Sequence, residues 1–464
     1  MMPRPNVVVF LADDLGYGDL EIYGNAALRT PHLNRLAGEG VRLNQHYSGS
    51  PLCAPARASL LTGRYNHRTG AISVESNRGL DRIALHEATI ADVFKQAGYA
   101  TGMVGKWHNG LHDMRYHPNN RGFDEFCGFL NGGMGYWDWV IERNSQPQHS
   151  DGTYLTEVFT DEAVQFIERH THDPFFLYVA YNAPHNPLQA PADEVQPLLE
   201  NDSINPAVAT LYAMIQRMDS GIGRILDTLA ARGLDDNTII LFTSDNGPWL
   251  GNDRLDGEVM SMARFNGPFR GMKQDVLEGG IRVPALLRWR DGLPANMEYH
   301  DMVHFTDWLP TLMAACGIST LPDLPLDGLN QLATLQGETG VVPAQRFWQY
   351  NRYDPVGQCN AAMRDGDWKL YWPRIPEAMV KLASDNEDYH QNMHRPHLLE
   401  PVANPPVART LSEPGAPQLY NINDDPYEAN DLSAQQPDRL NRMKTTLENW
   451  FETVEKERAS LHLL

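Results

Sequence analysis

The stretch VVVFLADD, residues 7–14, decides the fold class. Its first five residues are apolar and mostly β-branched, which is typical of a strand buried on both faces. Asp13 and Asp14 follow directly, and ligands bind outside the carboxyl ends of the strands in open α/β sheets. The stretch therefore predicts a buried strand that delivers two carboxylates to a ligand site.

Other apolar runs have the same character. Buried strands are predicted at 99–104, 175–181, 238–243 and 283–287. Helical patterns lie between them: Thr30 followed by Pro31 predicts a helix start with Thr30 as N-cap, and the clearest helix begins at Asn205-Pro206 and stops at Gly233. Alternating strands and helices predict an α/β fold with a large, mostly parallel or mixed central sheet and helices on both faces.

The pattern changes near residue 341. Short alternating segments follow at 346–350 and 367–372, and an amphipathic helix is predicted at about 437–457. Strands followed by a helix indicate an α+β unit. We therefore predict a main α/β domain over residues 1–340 and a smaller C-terminal α+β domain over residues 341–464, with an antiparallel sheet and a terminal helix.

The charge balance bears on partners. The 464 residues carry a formal net charge of -21, which repels nucleic acid, anionic membrane surfaces and long polyanions. The longest early apolar run, residues 7–12, is far shorter than the roughly 20 residues that span a bilayer. We expect no nucleic-acid or membrane partner, and no sequence feature indicates an oligomeric interface.

The cysteines and the N-terminal residues bear on the compartment. The four cysteines are too far apart for a CxxC pair and too few for a disulfide framework, which allows a reducing compartment. No signal peptide precedes the first strand, so the expected location is the cytoplasm, or the periplasm or exterior if an export signal was removed.

The string CAPARASLLTGR, residues 53–64, is the most informative for chemistry. Pro55 suits the first turn of a helix, which places Cys53 at the helix N-terminus. Unpaired N–H groups and the helix dipole favour negative charge there. From these residues alone, a buried structural cysteine is the alternative interpretation.

Oxygen-bearing side chains follow a second strand. Asp245 and Asn246 come after the predicted strand 238–243, as Asp13 and Asp14 come after the first. Oxygen ligands without His or Cys favour calcium or magnesium over zinc, and a site with six or more oxygens favours calcium. Each pair alone is also a common turn former or helix cap.

Basic residues follow two other predicted strands, and one more precedes the strand 283–287. Lys106 and His108 stand in GKWH (105–108), His185 in APHNP (183–187) and Lys273 in RGMKQDVLEGGIRVP (270–284). A lone histidine is more often structural, and a lone lysine is usually a solvated surface charge.

In this order, the strings resemble the signature motifs of the type I, formylglycine-dependent sulfatases, which are arylsulfatase-like members of the alkaline phosphatase superfamily. The resemblance implies that a sulfatase-maturating enzyme oxidises Cys53 to formylglycine (3-oxoalanine), and that Arg57 supports the resulting diol and its metal site. It also implies one divalent cation, calcium ahead of magnesium or manganese. The implied metal ligands are Asp13, Asp14, the modified Cys53, Asp245 and Asn246.

The resemblance also implies roles in the hydrolysis of sulfate monoesters. The hydrated aldehyde at position 53, deprotonated with help from Asp245, attacks sulfur and gives a covalent sulfo-enzyme. Lys106 and Lys273 hold the sulfate oxygens, and His185 protonates the departing alcohol or phenol. His108 then takes a proton from the second hydroxyl so that sulfate is expelled.

Two alternatives are a formylglycine-dependent phosphonate or phosphate ester hydrolase on the same fold, and a non-catalytic binder of sulfated ligands. The substrate is a small-molecule or saccharide sulfate ester, with the choice among aryl, sugar and alkyl leaving groups left open. Candidate walls of the leaving-group pocket are residues 123–139, 249–269 and 350–401. Asn109 stands where the family usually has Leu, and we expect it to alter the pocket rim.

Overall fold

The computed structural model describes residues 4–319, 322–342, 344–383, 385 and 407–461. The strands are β1 Asn6–Ala12, β2 Val41–Tyr47, β3 Ala100–Lys106, β4 Glu125–Phe129, β5 Val140–Arg143, β6 Gln146–His149, β7 Phe175–Ala180, β8 Thr238–Ser244, β9 Asn252–Leu255, β10 Glu258–Ser261, β11 Ala285–Arg288, β12 Met297–His304, β13 Gln345–Gln349, β14 Ala361–Asp365, β15 Trp368–Trp372 and β16 Gln418–Asn421. The α-helices are α1 Pro31–Gly38, α2 Cys53–Thr62, α3 Asn66–Thr69, α4 Ile90–Gln96, α5 Leu155–Arg169, α6 Ala192–Val195, α7 Pro206–Ala231, α8 Glu278–Ile281, α9 Trp308–Ala315, α10 Leu332–Leu335, α11 Pro376–Met379 and α12 Pro437–Arg458.

The central sheet has ten strands in the order β12-β2-β11-β8-β1-β7-β3-β4-β5-β6. Strands β8, β1, β7, β3 and β4 run parallel to their neighbours in this run, whereas β11 lies antiparallel to both β8 and β2. Leu11 near the end of β1 pairs with Thr243 of β8 and Ala180 of β7. The parallel strands therefore end at one edge of the sheet.

Both faces of β1 are covered. Val8 and Phe10 belong to one hydrophobic cluster with α7, while Val7, Val9 and Leu11 belong to another with α2, α4 and α9. Apolar side chains that alternate between two packed faces explain why β1 is a continuous apolar run, fully buried along its length. The predicted sheet with helices on both faces is confirmed.

The start of α1 corrects one expectation. Thr30 stands at the N-cap position, but its side chain makes no capping hydrogen bond. The carboxylate of Asp219 on α7 accepts instead from the backbone N–H groups of His32 (3.1 Å) and Leu33 (2.8 Å). A capping carboxylate thus comes from a distant helix, which joins α1 to α7.

A second, antiparallel sheet has the order β13-β14-β15-β16, and α12 packs on it through Leu447 and Val454. The predicted antiparallel sheet and terminal helix are therefore confirmed. Its other side shares a hydrophobic cluster with the main sheet, in which Trp348 and Tyr371 join Tyr47 and Ile281. A boundary at residues 340/341 stays a prediction.

Residues 384 and 386–401 of the predicted wall 350–401 lie outside the described residues. Within the described part of the chain, every helix is too short or too polar to cross a bilayer.

Candidate active site

Four strand ends supply the site. Asp13 and Asp14 follow β1, Asp245 and Asn246 follow β8, Lys106 ends β3, and His185 lies five residues beyond β7. Backbone hydrogen bonds join these ends: Asp13 N–H donates to the Ala183 carbonyl at 3.0 Å, and Asp245 N–H donates to the Ala12 carbonyl at 3.1 Å. The polar side chains converge because the parallel strands end in register.

Cys53 is the first residue of α2, as predicted, and this helix is buried throughout. Its Sγ lies 4.0 Å from Asp14 Oδ1, so the thiol faces the carboxylate cluster rather than apolar packing. Burial raises the pKa of the Cys53 thiol to about 12, although Lys106 and Lys273 oppose this shift. The unmodified thiol is therefore protonated at neutral pH and is a poor nucleophile.

The acidic side chains form a compact oxygen-rich centre. Asn246 Nδ2 donates to Asp14 Oδ1 at 2.8 Å, and Asp14 N–H donates to Asp245 Oδ1 at 3.1 Å. Asp13 Oδ1 and Asn246 Oδ1 are buried and accept no hydrogen bond from any residue that the structure describes. Buried oxygens without donors are suited to a hard cation, so these residues fit a divalent metal.

The ligand atoms of four residues lie within 4.8 Å of one another: Asp13, Asp14, Cys53 and His185. His185 was not among the predicted metal ligands, and its Nε2 lies 3.7 Å from Asp14 Oδ2.

Three cations enclose the carboxylates. Lys106 Nζ donates to Asp13 Oδ2 and Lys273 Nζ donates to Asp14 Oδ2, each at 2.7 Å. Arg57 pairs with Asp245, and its NH1 donates to the Lys106 carbonyl at 2.9 Å. The cluster thus places positive charges, which can bind a tetrahedral anion, beside negative charges, which can bind a metal ion.

Both histidines are uncharged in this setting. Burial, reinforced by Lys106 and Arg57, holds the pKa of His108 well below its usual value, and its ring nitrogens have no hydrogen-bond partner among the described residues. Burial and Lys273 lower the pKa of His185 to about 3, although Asp14 opposes this. A neutral His108 can accept a proton, whereas His185 needs added negative charge nearby before it can donate one.

One asparagine that the sequence did not mark supports the site. Asn360 donates from Nδ2 to the Gln274 carbonyl at 2.8 Å and accepts from the Val276 N–H at 3.2 Å, so it fastens the segment after Lys273. Asn360 lies more than 80 positions away in sequence, and no local pattern marks it.

Asn109 does not alter the pocket rim. It is fully buried, and its Nδ2 donates to the carbonyls of Ala54 (3.0 Å) and Asp81 (3.1 Å). The expectation of a changed rim is wrong because this side chain turns inward and supports the first turn of α2.

A pocket of about 530 Å³ opens beside the cluster, a size typical of small-molecule sites. The predicted wall 249–269 contributes to it, whereas none of its described lining residues comes from 123–139. The lining residues are Asp14, Pro184, His185, Asn186, Leu188, Leu211, Trp249, Asn252, Asp253, Met262, Arg264, Lys273 and Gln274.

The amino-acid sequence is similar to those of known proteins. The family model described as Sulfatase matches residues 5–318. Human N-acetylgalactosamine-6-sulfatase is 35% identical over 359 residues, which cover 71% of this chain and 66% of that protein, slightly less than two thirds. Rat arylsulfatase G is 34% identical, over 73% of this chain and 70% of its own length.

Among solved structures, the crystal structure of Ps i-CgsB in complex with k-i-k-neocarrahexaose superimposes with a TM-score of 0.80 at 29% identity. The superposition covers 97% of this chain and 93% of that one, so the likeness includes the C-terminal sheet.

Proposed function

This chain belongs to the sulfatase family of sulfuric ester hydrolases, and from that premise we propose that it hydrolyses sulfate monoesters of saccharides through a formylglycine at position 53. The products are an alcohol and inorganic sulfate. The observation that carries the proposal is the position of Cys53, 4.0 Å from Asp14 and at the head of a helix that opens onto buried lysines and carboxylates.

The nucleophile requires a modified residue. Because burial keeps the Cys53 thiol protonated, the side chain as encoded is unsuited to attack on sulfur. A hydrated formylglycine supplies two hydroxyl groups on one carbon, one to bond sulfur and one to expel sulfate afterwards. A sulfatase-maturating enzyme is therefore the partner that this proposal requires.

Asp13, Asp14, Asp245 and Asn246, with the modified residue 53, would hold one divalent cation. One oxygen each of Asp13 and Asn246 accepts no hydrogen bond from a described residue, which supports a hard ion, and the predominance of oxygen ligands favours calcium over zinc. When bound, this ion supplies positive charge that polarises a sulfate oxygen and stabilises an alkoxide.

The remaining residues act on the sulfate and on protons. Lys106 pairs with Asp13 and Lys273 with Asp14, and both lysines would bind sulfate oxygens when a cation shares these carboxylates. His185 would protonate the leaving oxygen, since a bound sulfate adds the negative charge that favours its cationic form. Neutral, buried His108 is suited to accept a proton from the modified residue.

The energetic demand agrees with such a crowded site. Sulfate monoesters are inert, so the site must lower the barrier by roughly 15 to 23 kcal/mol, of which one positioned proton transfer supplies only about 3 to 5 kcal/mol. Preorganised charges from the cation and lysines must provide most of the remainder.

Saccharide substrates are supported by two kinds of observation. The relative named N-acetylgalactosamine-6-sulfatase and the structure solved with a neocarrahexaose both concern sugars. In this chain, Trp249 lines the adjoining pocket together with the amides of Asn186, Asn252 and Gln274. An aromatic surface beside several amides is suited to a ring that bears hydroxyl groups.

The test is to co-produce the chain with a sulfatase-maturating enzyme and measure the mass of the peptide that contains residue 53. We expect the mass change of thiol-to-aldehyde conversion, together with release of sulfate from p-nitrophenyl sulfate. Higher catalytic efficiency on phosphate or phosphonate esters would instead identify a phosphoryl or phosphonyl hydrolase. Binding of sulfated sugars without any turnover would identify a non-catalytic binder.

A further inference from the structure

The pocket beside the catalytic cluster has a wall built from the β9–β10 hairpin and the residues before it. Trp249 Nε1 donates to the Asn252 carbonyl at 3.0 Å. A Cβ atom at Gly251 would lie 2.5 Å from Cζ2 of this indole, so the ring packs where only glycine leaves room. Trp249, Asn252 and Asp253 line the same pocket as Lys273. The hairpin therefore lines the side of the pocket in which a group bearing the sulfate would lie.

The charged side chains of this pocket differ in whether they have an ion-pair partner. Lys273 is paired with Asp14, and Arg264 is held by Asp19 through Nε at 2.7 Å and NH2 at 2.8 Å. Asp253 forms no ion pair with any Lys, Arg or His of the described residues. The leaving-group side of the pocket consequently carries one carboxylate whose charge is not neutralised by a neighbour.

Neutral donors hold this carboxylate in place. Asn186 Nδ2 donates to both oxygens of Asp253, at 3.3 Å and 3.1 Å, and the Arg254 N–H donates to Oδ1 at 2.8 Å. Amide donors fix the position of an anion without cancelling its charge. Asn186 also accepts a hydrogen bond at its carbonyl from His185 Nδ1 at 2.8 Å, so Asp253 is linked to the residue that faces the leaving group.

We propose that Asp253 is a specificity-determining residue that selects saccharide units with no charged group besides the sulfate that is removed. The inference rests on the proposed function and narrows its substrate class. A second sulfate or a carboxylate on the same sugar ring would enter the pocket near Asp253. Like charges about 10 Å apart in a partly buried site repel enough to lower binding on the order of tenfold.

Uncharged substituents on the sugar are not repelled by Asp253 and can form hydrogen bonds with it. A hydroxyl or acetamido group can donate to Asp253 and can exchange hydrogen bonds with the side chains of Asn252 and Asn186. The hairpin adds to the bias, because residues 252–261 contain three acidic side chains against one arginine. Neutral sugars are therefore favoured by contact as well as by charge.

The test compares two substrates that differ by one charged group: N-acetylgalactosamine 6-sulfate, and the same sugar with a second sulfate on its 4-hydroxyl. The variant is Asp253→Asn, which keeps an oxygen that accepts from Asn186. The matched control is Asp256→Asn, an exposed residue of the same hairpin that does not line the pocket. The measured quantity is the ratio of kcat/KM for the monosulfated to the disulfated sugar.

We expect Asp253→Asn to lower this ratio on the order of tenfold and Asp256→Asn to leave it unchanged. Added salt should lower the ratio of the unaltered protein and have less effect on the Asp253 variant, because salt screens the repulsion. An unchanged ratio in Asp253→Asn would overturn the proposal, whether kcat/KM stays the same for both sugars or falls equally for both.

The outcomes separate this inference from the proposed function. If the modified protein cleaves p-nitrophenyl sulfate but neither sugar, the selection of neutral saccharides is wrong while the sulfatase activity stands. If it cleaves no sulfate ester at all, although residue 53 is converted, the proposed function itself fails.

Discussion

Arg57 donates two hydrogen bonds to a single oxygen of Asp245, from Nε at 3.0 Å and from NH2 at 2.7 Å, and both side chains are fully buried. The other oxygen of Asp245 accepts from the Asp14 backbone. Arg57 thereby orients a carboxylate that in turn fixes the backbone of a second one. Residue 53, the proposed nucleophile, lies one helical turn before Arg57 on α2, so one helix positions both residue 53 and the arginine that orients Asp245.

Replacing Arg57 by Lys should keep the charge but lose the two-point contact. A lysine offers one donor group without the planar fork, so we expect a cost of about 1.5–3 kcal/mol in the free energy of unfolding. We also expect a fall in kcat on the order of 100-fold, because small displacements of reacting groups are costly. Arg224→Lys, at an exposed pair with Asp161, is the control and should change neither quantity measurably.

Replacing Cys53 by Ser should stop turnover after the first step. Serine presents one hydroxyl on its β-carbon, so a sulfated serine has no second hydroxyl with which to expel sulfate. We expect at most one equivalent of p-nitrophenol per protein from p-nitrophenyl sulfate, and a mass increase equal to one sulfo group. Sustained turnover by this variant would refute expulsion by a second hydroxyl.

Replacing Asp13 by Asn should destabilise the fold even without a metal. Lys106 is completely buried and donates to Asp13 at 2.7 Å, so the variant leaves a buried cation without its counter-charge. We expect a loss of about 3–5 kcal/mol, measured by denaturant unfolding in the presence of a chelator. Asp227→Asn, which disrupts an exposed pair with Arg35, should cost no more than about 1 kcal/mol. Equal losses in the two variants would contradict the role of burial.

The pH dependence of stability should report on His46, which lies on β2 and is fully buried. Burial lowers the pKa of His46 to about 3, and its Nε2 accepts from Trp308 Nε1 at 2.9 Å. Below about pH 6.5 the unfolded chain binds a proton that the folded chain excludes. This contribution to stability is complete above pH 6.5 and is lost progressively as the pH falls towards 3.

His46→Gln keeps an oxygen for the Trp308 N–H but does not titrate. We expect the unfolding free energy of the variant to fall less steeply between pH 6 and 4, by up to about 1.4 kcal/mol per pH unit relative to the unaltered protein. His300→Gln, at an exposed position, should run parallel to the unaltered protein. Parallel slopes for His46→Gln as well would show that this histidine titrates normally in the folded state.

Local sequence patterns predicted the elements that carry the site. The apolar run before Asp13 and the Pro55 turn after Cys53 have signals confined to a few residues, and both elements appear as predicted. The direction of a strand could not be predicted in the same way. The four residues of β11 contain no pattern that indicates that this strand runs antiparallel between β2 and β8.

Contacts that depend on distant segments could not be predicted. Each strand of the β9–β10 hairpin has only four residues and is largely exposed, which is too short a run for an alternation of polar and apolar residues to identify it. Asp219 replaces the Thr30 side chain as the cap of α1 only because α7 passes nearby, and Asn360 reaches Gln274 from another sheet. Such residues are defined by tertiary packing, which one sequence does not reveal.

The position of Asn360 makes the loop that bears Lys273 dependent on the small sheet. The same dependence appears at Glu278, where Lys369 of β15 bonds Glu278 at 3.0 Å and Glu428 at 2.9 Å in a fully buried bridge. The position of Lys273 consequently depends on both sheets. A chimera that joins residues 4–319 to the C-terminal third of another protein should hold Lys273, the proposed sulfate ligand, less firmly, although residues 4–319 keep every motif. Chimeras of family members should therefore keep more activity when the crossover point leaves the contacts of Asn360 and Lys369 intact than when it separates them.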